Sequence, residues 1–274
     1  MNTKLVAEML RNMKHPIDPP GCTSGFVDHP AGWNEAVEIG VVLQHRFAFY
    51  YWLKWHGKRK TGAPPPNLLT IDWHDDVGGD CDFKPEQIEQ LNPKDENELS
   101  LFCWAGLRCL NDGHIAPAQY LNAIGDVYVI LKQHGDSRKS DDFDRKQTQT
   151  DRNGNSHQIH YFDRIEDFLA EHGPDRESPL YLDIDLDYFT RPDKSGEHGA
   201  EKRLPDAAIK KVVSLQGPLM QWVVPRLAGF TIALEPEYCG GIRNCMHILD
   251  VVSTALFDPP LLTAGMKWRV VGRK

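Results

Sequence analysis

Long apolar runs are absent from this sequence of 274 residues, since no stretch approaches the roughly 18–20 residues that cross a membrane. Residues 1–14 mix charged and apolar side chains at helical spacing and lack the unbroken apolar core of a secretory signal. We therefore expect a cytoplasmic protein with no membrane partner.

Cysteine is present only as six scattered residues, and no two of them form a C-x-x-C pair. This spacing argues against a zinc cluster built from cysteine ligands. Because no secretory signal is found, we expect reduced thiols that are mostly buried.

Basic residues are in the minority, with 31 lysines and arginines against 39 acidic side chains and a net charge of −8. Proteins that bind nucleic acids usually carry basic patches, so we expect no nucleic-acid partner. An acidic balance suits a cationic substrate or metal ions, and it is equally compatible with simple solubility.

Short apolar segments bounded by turn signals indicate strands. Strands that are apolar on both faces are typical of a parallel sheet covered by helices. The segments predict one α/β domain over residues 1–274, folded as a three-layer α/β/α sandwich with a mostly parallel central sheet. The predicted strands are 67–73, 126–131, 179–186 and 229–234, and the helical stretches are 36–55, 96–110, 117–124, 164–172, 206–227 and 244–257.

Two polar segments interrupt this pattern. Residues 133–158 are almost wholly polar and contain the turn signal Asn153-Gly154, which predicts either a surface excursion with a small β-hairpin or a substrate-recognition flap. Residues 58–66, KRKTGAPPP, form a basic, proline-rich connector to which the sequence assigns no function.

The strongest chemical signal is D-W-H-D-D directly after the apolar strand NLLTI. In an extended chain alternate residues face the same way, so Asp72, His74 and Asp76 can converge where the strand ends. Ligands of α/β sheets bind at this end. Two carboxylates and one imidazole favour manganese, iron or zinc over calcium, and the oxygen donors favour Mn²⁺.

A second signal lies in PLYLDIDLDYF, where Asp183, Asp185 and Asp187 share one face of an apolar strand. Buried carboxylates are costly unless a cation compensates them. Together with the first motif they offer about five ligands, which is enough for two metal ions.

Weaker signals accompany these two motifs. His29 follows a short apolar segment, and His114 has a side chain whose pKa suits proton transfer. Glu235 and Glu237 follow the strand GFTIAL, where carboxylates suit a cationic substrate group.

In type and order these motifs resemble the arginase/ureohydrolase superfamily. D-W-H-D-D is similar to its Asp-x-His-x-Asp signature, D-I-D to its later Asp-x-Asp signature, and Asp28-His29 to its upstream Asp-His pair. The closer similarity is to the peptide arginases, which convert arginine side chains of ribosomally made precursor peptides to ornithine. That branch is indicated by VDHPAGWNEA, IDWHDD, NDGHIAPA, LDIDLDYF and LEPEYCGG.

The resemblance implies a hydrolase that uses two Mn²⁺ ions per chain and an arginine-containing precursor peptide as partner. It implies Asp76 or Asp185 as the proton acceptor, His114 as a proton relay, and Glu235 or Glu237 as the group that binds the guanidinium. The implied metal ligands are His29, Asp72, His74, Asp76, Asp183 and Asp185.

The chain also departs from the family pattern. The second motif lacks the Asp-Pro that usually follows, and residues 77–82 replace the segments with which ordinary arginases bind free arginine. The second departure argues against free arginine as the substrate and is compatible with a peptide. Hydrolysis of a small guanidine such as agmatine or free arginine, amide deacetylation, and non-catalytic metal-dependent binding stay open as alternatives. The sequence does not determine the oligomeric state.

Overall fold

The computed structural model describes residues 16–32, 35–77, 85–107, 111–132, 145–172, 178–193 and 201–269. The strands are β1 (Thr23–Asp28), β2 (Ala36–Val42), β3 (Asn67–Asp72), β4 (Val127–Leu131), β5 (Lys146–Thr150), β6 (Ser156–Phe162), β7 (Leu180–Asp185), β8 (Thr190–Arg191), β9 (Lys202–Arg203) and β10 (Leu227–Ala233). The α-helices are α1 (Ala48–Lys58), α2 (Pro85–Ile88), α3 (Glu96–Ala105), α4 (Ile115–Tyr120), α5 (Ile165–Glu171), α6 (Asp206–Val213), α7 (Pro218–Val223) and α8 (Ile242–Leu256).

Eight strands form one sheet in the order β1-β2-β10-β7-β3-β4-β6-β5. The six inner strands are parallel, and only the edge strands β1 and β5 pair antiparallel. Helices α1, α3 and α4 bury their apolar side chains on one face of the sheet, and α5 to α8 bury theirs on the other. This arrangement confirms the predicted three-layer α/β/α sandwich with a mostly parallel sheet. In the described part of the chain, no helix combines the length and the apolarity that crossing a bilayer requires.

The prediction of a helical stretch over residues 36–55 is wrong in its first part. Ala36–Val42 is the inner strand β2, and the helix α1 begins only at Ala48, after a 3-10 turn over His45–Phe47. Six of the seven residues of β2 are buried. A strand that is buried on both faces carries no alternation, so periodicity could not separate it from the buried helix that follows.

The polar segment 133–158 contains a β-hairpin, as one of its two interpretations predicted. Strands β5 and β6 pair antiparallel around a turn in which the Asp151 carboxylate accepts hydrogen bonds from the backbone N–H groups of Asn153 and Asn155, each at 2.8 Å. Strand β6 belongs to the main sheet through its pairing with β4. The rest of the flap interpretation concerns residues 133–144, which lie outside the described residues.

Helix α1 lies unusually close to the sheet because two strand residues have no side chain. A Cβ atom at Gly40 of β2 would lie 2.6 Å from Cδ2 of Tyr51, and one at Gly229 of β10 would lie 2.5 Å from Cζ3 of Trp55. The buried Glu38 carboxylate of β2 accepts hydrogen bonds from Lys54 Nζ at 2.8 Å and from the Trp55 indole at 2.9 Å. These contacts hold α1, and therefore the turn that precedes it, at a set position over the sheet.

We expect Gly40→Ala to lower the free energy of unfolding by about 1–3 kcal/mol, because the added methyl group overlaps a buried aromatic ring. Urea denaturation followed by fluorescence measures this change. Gly25→Ala in edge strand β1 is the matched control, since its Cβ would meet the flexible end of Leu262 at 3.2 Å. Equal stability of the two variants would contradict the close packing of α1 on β2.

Candidate metal centre

The two acidic motifs meet because β3 and β7 are parallel neighbours in the sheet. Thr70 pairs with Asp183 and Ile71 with Ile184, so Asp72 and Asp185 end their strands at the same level. Each of these two carboxylates uses its Oδ1 to accept a backbone N–H from the residue two positions later, at 2.8 Å for Asp72 and 2.9 Å for Asp185. These local turns leave the Oδ2 atom of both residues facing a common centre. The predicted convergence of the two motifs is therefore observed.

The centre is occupied by the imidazole of His45, which sequence reasoning did not single out. His45 is wholly buried, and its Nδ1 lies 2.8 Å from Asp76 Oδ2, 3.1 Å from Asp185 Oδ2 and 3.3 Å from Asp72 Oδ2. The side chain comes from the 3-10 turn between β2 and α1. No motif surrounds it in the sequence Leu-Gln-His-Arg-Phe, and the prediction of a continuous helix concealed the turn.

Asp183 lies beneath His45 rather than beside its Nδ1. Its carboxylate accepts hydrogen bonds from the hydroxyls of Thr70 and Thr231, and its Oδ2 lies 2.6 Å from His45 Nε2. Such a carboxylate orients a histidine ligand through the ring nitrogen that faces away from the metal. The assignment of Asp183 as a direct ligand is therefore corrected to a residue that positions His45.

A second group of donors adjoins the first and shares Asp72 with it. His74 Nδ1 lies 3.0 Å from Asp187 Oδ2 and 3.9 Å from Asp72 Oδ1. The backbone N–H of Trp73 donates to Asp187 Oδ1 at 3.1 Å, which holds this carboxylate against the end of β3. Asp187, which has no definite role in the sequence-based prediction, thus stands where Asp183 was expected.

The donor set fits a divalent cation. Nδ1 of His45 carries one proton at most, yet three buried carboxylate oxygens surround it, so most of their charge is left uncompensated. The ligand atoms of His45, Asp72, Asp76 and Asp185 all lie within 4.8 Å of one another, as do those of Asp72, His74 and Asp187. The buried group of His45 and three aspartates can hold a metal ion.

Burial and mutual repulsion shift the protonation of these groups. Burial, followed by the charge of Asp187, raises the pKa of Asp72 to about 6, and burial also raises the pKa values of Asp76 and Asp185 well above the ordinary range. Burial alone would lower the pKa of His74, but the hydrogen bond and charge of Asp187 outweigh it and raise this pKa to about 9. Without a cation, the cluster holds protons that a divalent ion would displace.

His29, one of the expected metal ligands, lies at the opposite end of the sheet strands from the cluster. It follows β1, which runs antiparallel to β2, and its Nε2 lies 2.9 Å from the carbonyl oxygen of Leu227, where β10 begins. The cluster lies at the other end of β10. The assignment of His29 as a ligand is therefore corrected, and His45 supplies the histidine on this side of the site.

His114 is close to the cluster but does not reach solvent. Its ring centroid lies 4.4 Å from that of His45 and stacks at 5.4 Å on Trp52, and its side chain is 1% exposed. Burial, with the neighbouring His45, lowers its pKa well below the ordinary value, so the ring is neutral. The ring lies beside the cluster and away from bulk water, and its expected role as a proton shuttle stays a prediction.

A cavity of about 400 Å³ opens above the cluster. Glu235 lies in its wall with a backbone φ of 41°, and its carboxylate accepts hydrogen bonds from the backbone N–H of His45 and, at 3.3 Å, from Asn111. Burial raises the pKa of Glu235 to about 7. Glu237 is exposed and does not line the cavity, so of the two expected glutamates only Glu235 belongs to the site. The lining residues are His74, Asp75, Asp76, Asn111, Asp112, Asp185, Asp187, Glu235 and Tyr238.

No model of a known protein family and no curated protein matches the chain. The chemistry of the site therefore follows from its own residues and geometry.

We expect metal-free protein to lose stability as the pH rises. Folding raises the pKa of three groups, to about 6 for Asp72, 7 for Glu235 and 9 for His74. Each group stabilises the fold fully at a pH below its pKa in the unfolded chain, and this stabilisation is lost as the pH rises through its pKa in the folded protein. Thermal denaturation in EDTA should give a lower melting temperature at about pH 8 than at about pH 5. Added Mn²⁺ should reverse this loss, and no reversal should occur in Asp72→Ala.

Asp183→Asn and Asp185→Asn separate a positioning residue from a ligand. Asp183→Asn should bind as many ions per chain as the unaltered protein, with an affinity about 10–100-fold lower. Asp185→Asn should bind fewer ions at saturation, because a donor of the central group is lost. Isothermal titration with Mn²⁺ and elemental analysis measure both quantities. A reduced ion count in Asp183→Asn would restore Asp183 as a ligand.

Proposed function

We propose that this chain is a hydrolase with two Mn²⁺ ions, which cleaves the guanidinium group of arginine residues in a precursor peptide to ornithine and urea. The observation that carries the proposal is the pair of histidine and aspartate groups, one buried and one containing the half-buried His74, that share Asp72 beneath an acidic cavity. The reaction is proposed from the resemblance of the motifs to those of arginases. The geometry supports it through the possible metal ligands and through a cavity whose acidic lining suits a guanidinium cation.

Two ions would be held by donors that the sheet end already brings together. His45, Asp76 and Asp185 would hold one ion, His74 and Asp187 the other, and Asp72 would belong to both. Six carboxylate and imidazole donors of this kind favour Mn²⁺, Fe²⁺ or Zn²⁺ over Ca²⁺, and the excess of oxygen favours Mn²⁺. When bound, such ions make water a good nucleophile near neutral pH and polarise the group under attack.

The cavity selects for positive charge. Its described lining contains six carboxylates and no lysine or arginine. A guanidinium cation gains from such a lining through paired charge-assisted hydrogen bonds, whereas a phosphate ester would be repelled. This distribution of charge supports a guanidine substrate over a phosphoester.

Glu235 is the residue that we assign to the guanidinium. The N–H groups of His45 and Asn111 fix the direction of its carboxylate, and the residue lines the cavity. In the reaction, water adds to the guanidinium carbon while Asp76 or Asp185 accepts the released proton, and the bond to the side-chain nitrogen then breaks. That proton passes to the leaving nitrogen, so the products are urea and the amine of ornithine.

A urea assay with Mn²⁺-loaded protein tests this proposed reaction. The substrates are free arginine, agmatine and an arginyl peptide blocked at both ends. Urea from the blocked peptide supports the proposal. Urea from the small guanidines alone would make a small guanidine, rather than a peptide, the substrate. An absence of urea from protein with two bound ions would contradict guanidine hydrolysis.

Glu235→Gln and Glu237→Gln form a matched pair for the substrate contact. Glu235→Gln should lower kcat/KM by about 10²-fold or more, because a charge-assisted contact to the guanidinium is lost, and it should leave the number of bound ions unchanged. Glu237→Gln should stay within about twofold of the unaltered protein, since the exposed Glu237 lies outside the cavity. Comparable losses in both variants would refute the assignment of Glu235.

A further inference from the structure

A second cavity, of about 710 Å³, opens at the far end of α1 from the metal centre. Its walls come from the end of α1, the proline-rich connector, the segment before α3, the end of α4 and the β5–β6 turn. Four cationic residues from these separate segments line it, and we call it the basic cleft. They are Arg59, Lys60, Lys94 and Arg152.

The cations of the basic cleft have no carboxylate partner in the part of the chain that the structure describes. Among the residues that the structure describes, no carboxylate forms an ion pair with any of the four. The guanidinium of Arg59 donates instead to the carbonyl oxygens of Ala123 at 3.4 Å and Ala63 at 2.6 Å, and its buried Nε has no partner. The chain as a whole is acidic, with a net charge of −8, whereas four cations without a described carboxylate partner surround this one cavity.

One of the two histidines in the cleft, His56, has a pKa that reflects the same imbalance. Burial, then the charges of Arg59 and Arg152, lower the pKa of His56 to about 4. The other histidine, His157, has its Nε2 3.3 Å from Asp151 Oδ2, and this carboxylate also accepts the hydrogen bonds of the hairpin turn. Asp151 is therefore engaged away from the four cations.

The cleft also offers amide groups. Asn122, Asn153 and Asn155 line it, and the buried Oδ1 of Asn122 accepts no hydrogen bond. An unpaired buried acceptor needs an N–H or O–H donor, which a peptide backbone provides and a fully ionised phosphate does not. Cations that come from three separate segments also suit several spaced carboxylates better than one compact anion.

We propose that the basic cleft binds an acidic peptide segment, with the cations contacting its carboxylates and the asparagine amides contacting its backbone. Charge complementarity at a solvent-accessible cleft gives salt-dependent binding, because the contacts are screened by added ions. The proposal does not depend on the metal centre or on its reaction.

Fluorescence anisotropy with a labelled hexaglutamate peptide tests the proposal. The full chain is used in EDTA, so that metal ions cannot bridge the peptide to the acidic cavity. Binding should be saturable and should weaken as NaCl is raised from about 20 to about 150 mM. Lys94→Glu with Arg152→Glu should weaken it by about tenfold or more, since both residues are exposed and like charges would then meet the peptide.

Lys210→Glu with Lys211→Glu is the matched control, because it makes the same charge change on the exposed face of α6. This variant should bind the peptide within about twofold of the unaltered protein. Equal weakening in both double variants, or no peptide binding at low salt, would overturn the proposal. Competition by inorganic phosphate at concentrations where acetate has no effect would overturn the peptide assignment in favour of a compact anion.

Discussion

The rest of this structure depends on one electrostatic constraint, which is the burial of four carboxylates around the single imidazole of His45. Such a group is unstable without protons or cations, because desolvation penalises each charge and the charges repel one another. Hydrogen bonds from Thr70, Thr231 and the backbone hold individual carboxylate oxygens of this group in place. What remains uncompensated is the charge that a divalent ion would neutralise.

Helix α1 links this centre to the rest of the molecule. The turn before its first residue carries His45, and its packing against Gly40 and Gly229 sets the height of that turn above the sheet. Its last turn contributes to the basic cleft through His56. A helix of 11 residues is about 16 Å long, so one rigid element separates an acidic cavity from a basic one. This separation keeps two surfaces of opposite sign from neutralising each other.

The two corrections to the ligand set have a common physical origin. Asp183, Asp185 and Asp187 share one face of a strand, and the alternation of side chains cannot tell which of them stands at the sheet end. The pairing of Thr70 with Asp183 decides this, because it places Asp183 one level below the centre and Asp187 beyond it. The directions of β1 and β2 likewise decide where His29 and His45 lie. The two strands are antiparallel, so the residues that follow them lie at opposite ends of the sheet strands.

The sequence by itself determined the fold class, four inner strands and the convergence of two acidic motifs, because these follow from local apolar patterns and from the rule that parallel strands end at one edge. It also separated the polar hairpin from the rest of the chain through Asn153-Gly154. Only the tertiary structure decided that His45 is central, that Asp183 supports rather than binds, and that the connector lines a basic cleft. Those outcomes depend on contacts between residues far apart in sequence, and no local pattern carries information about their register or distance.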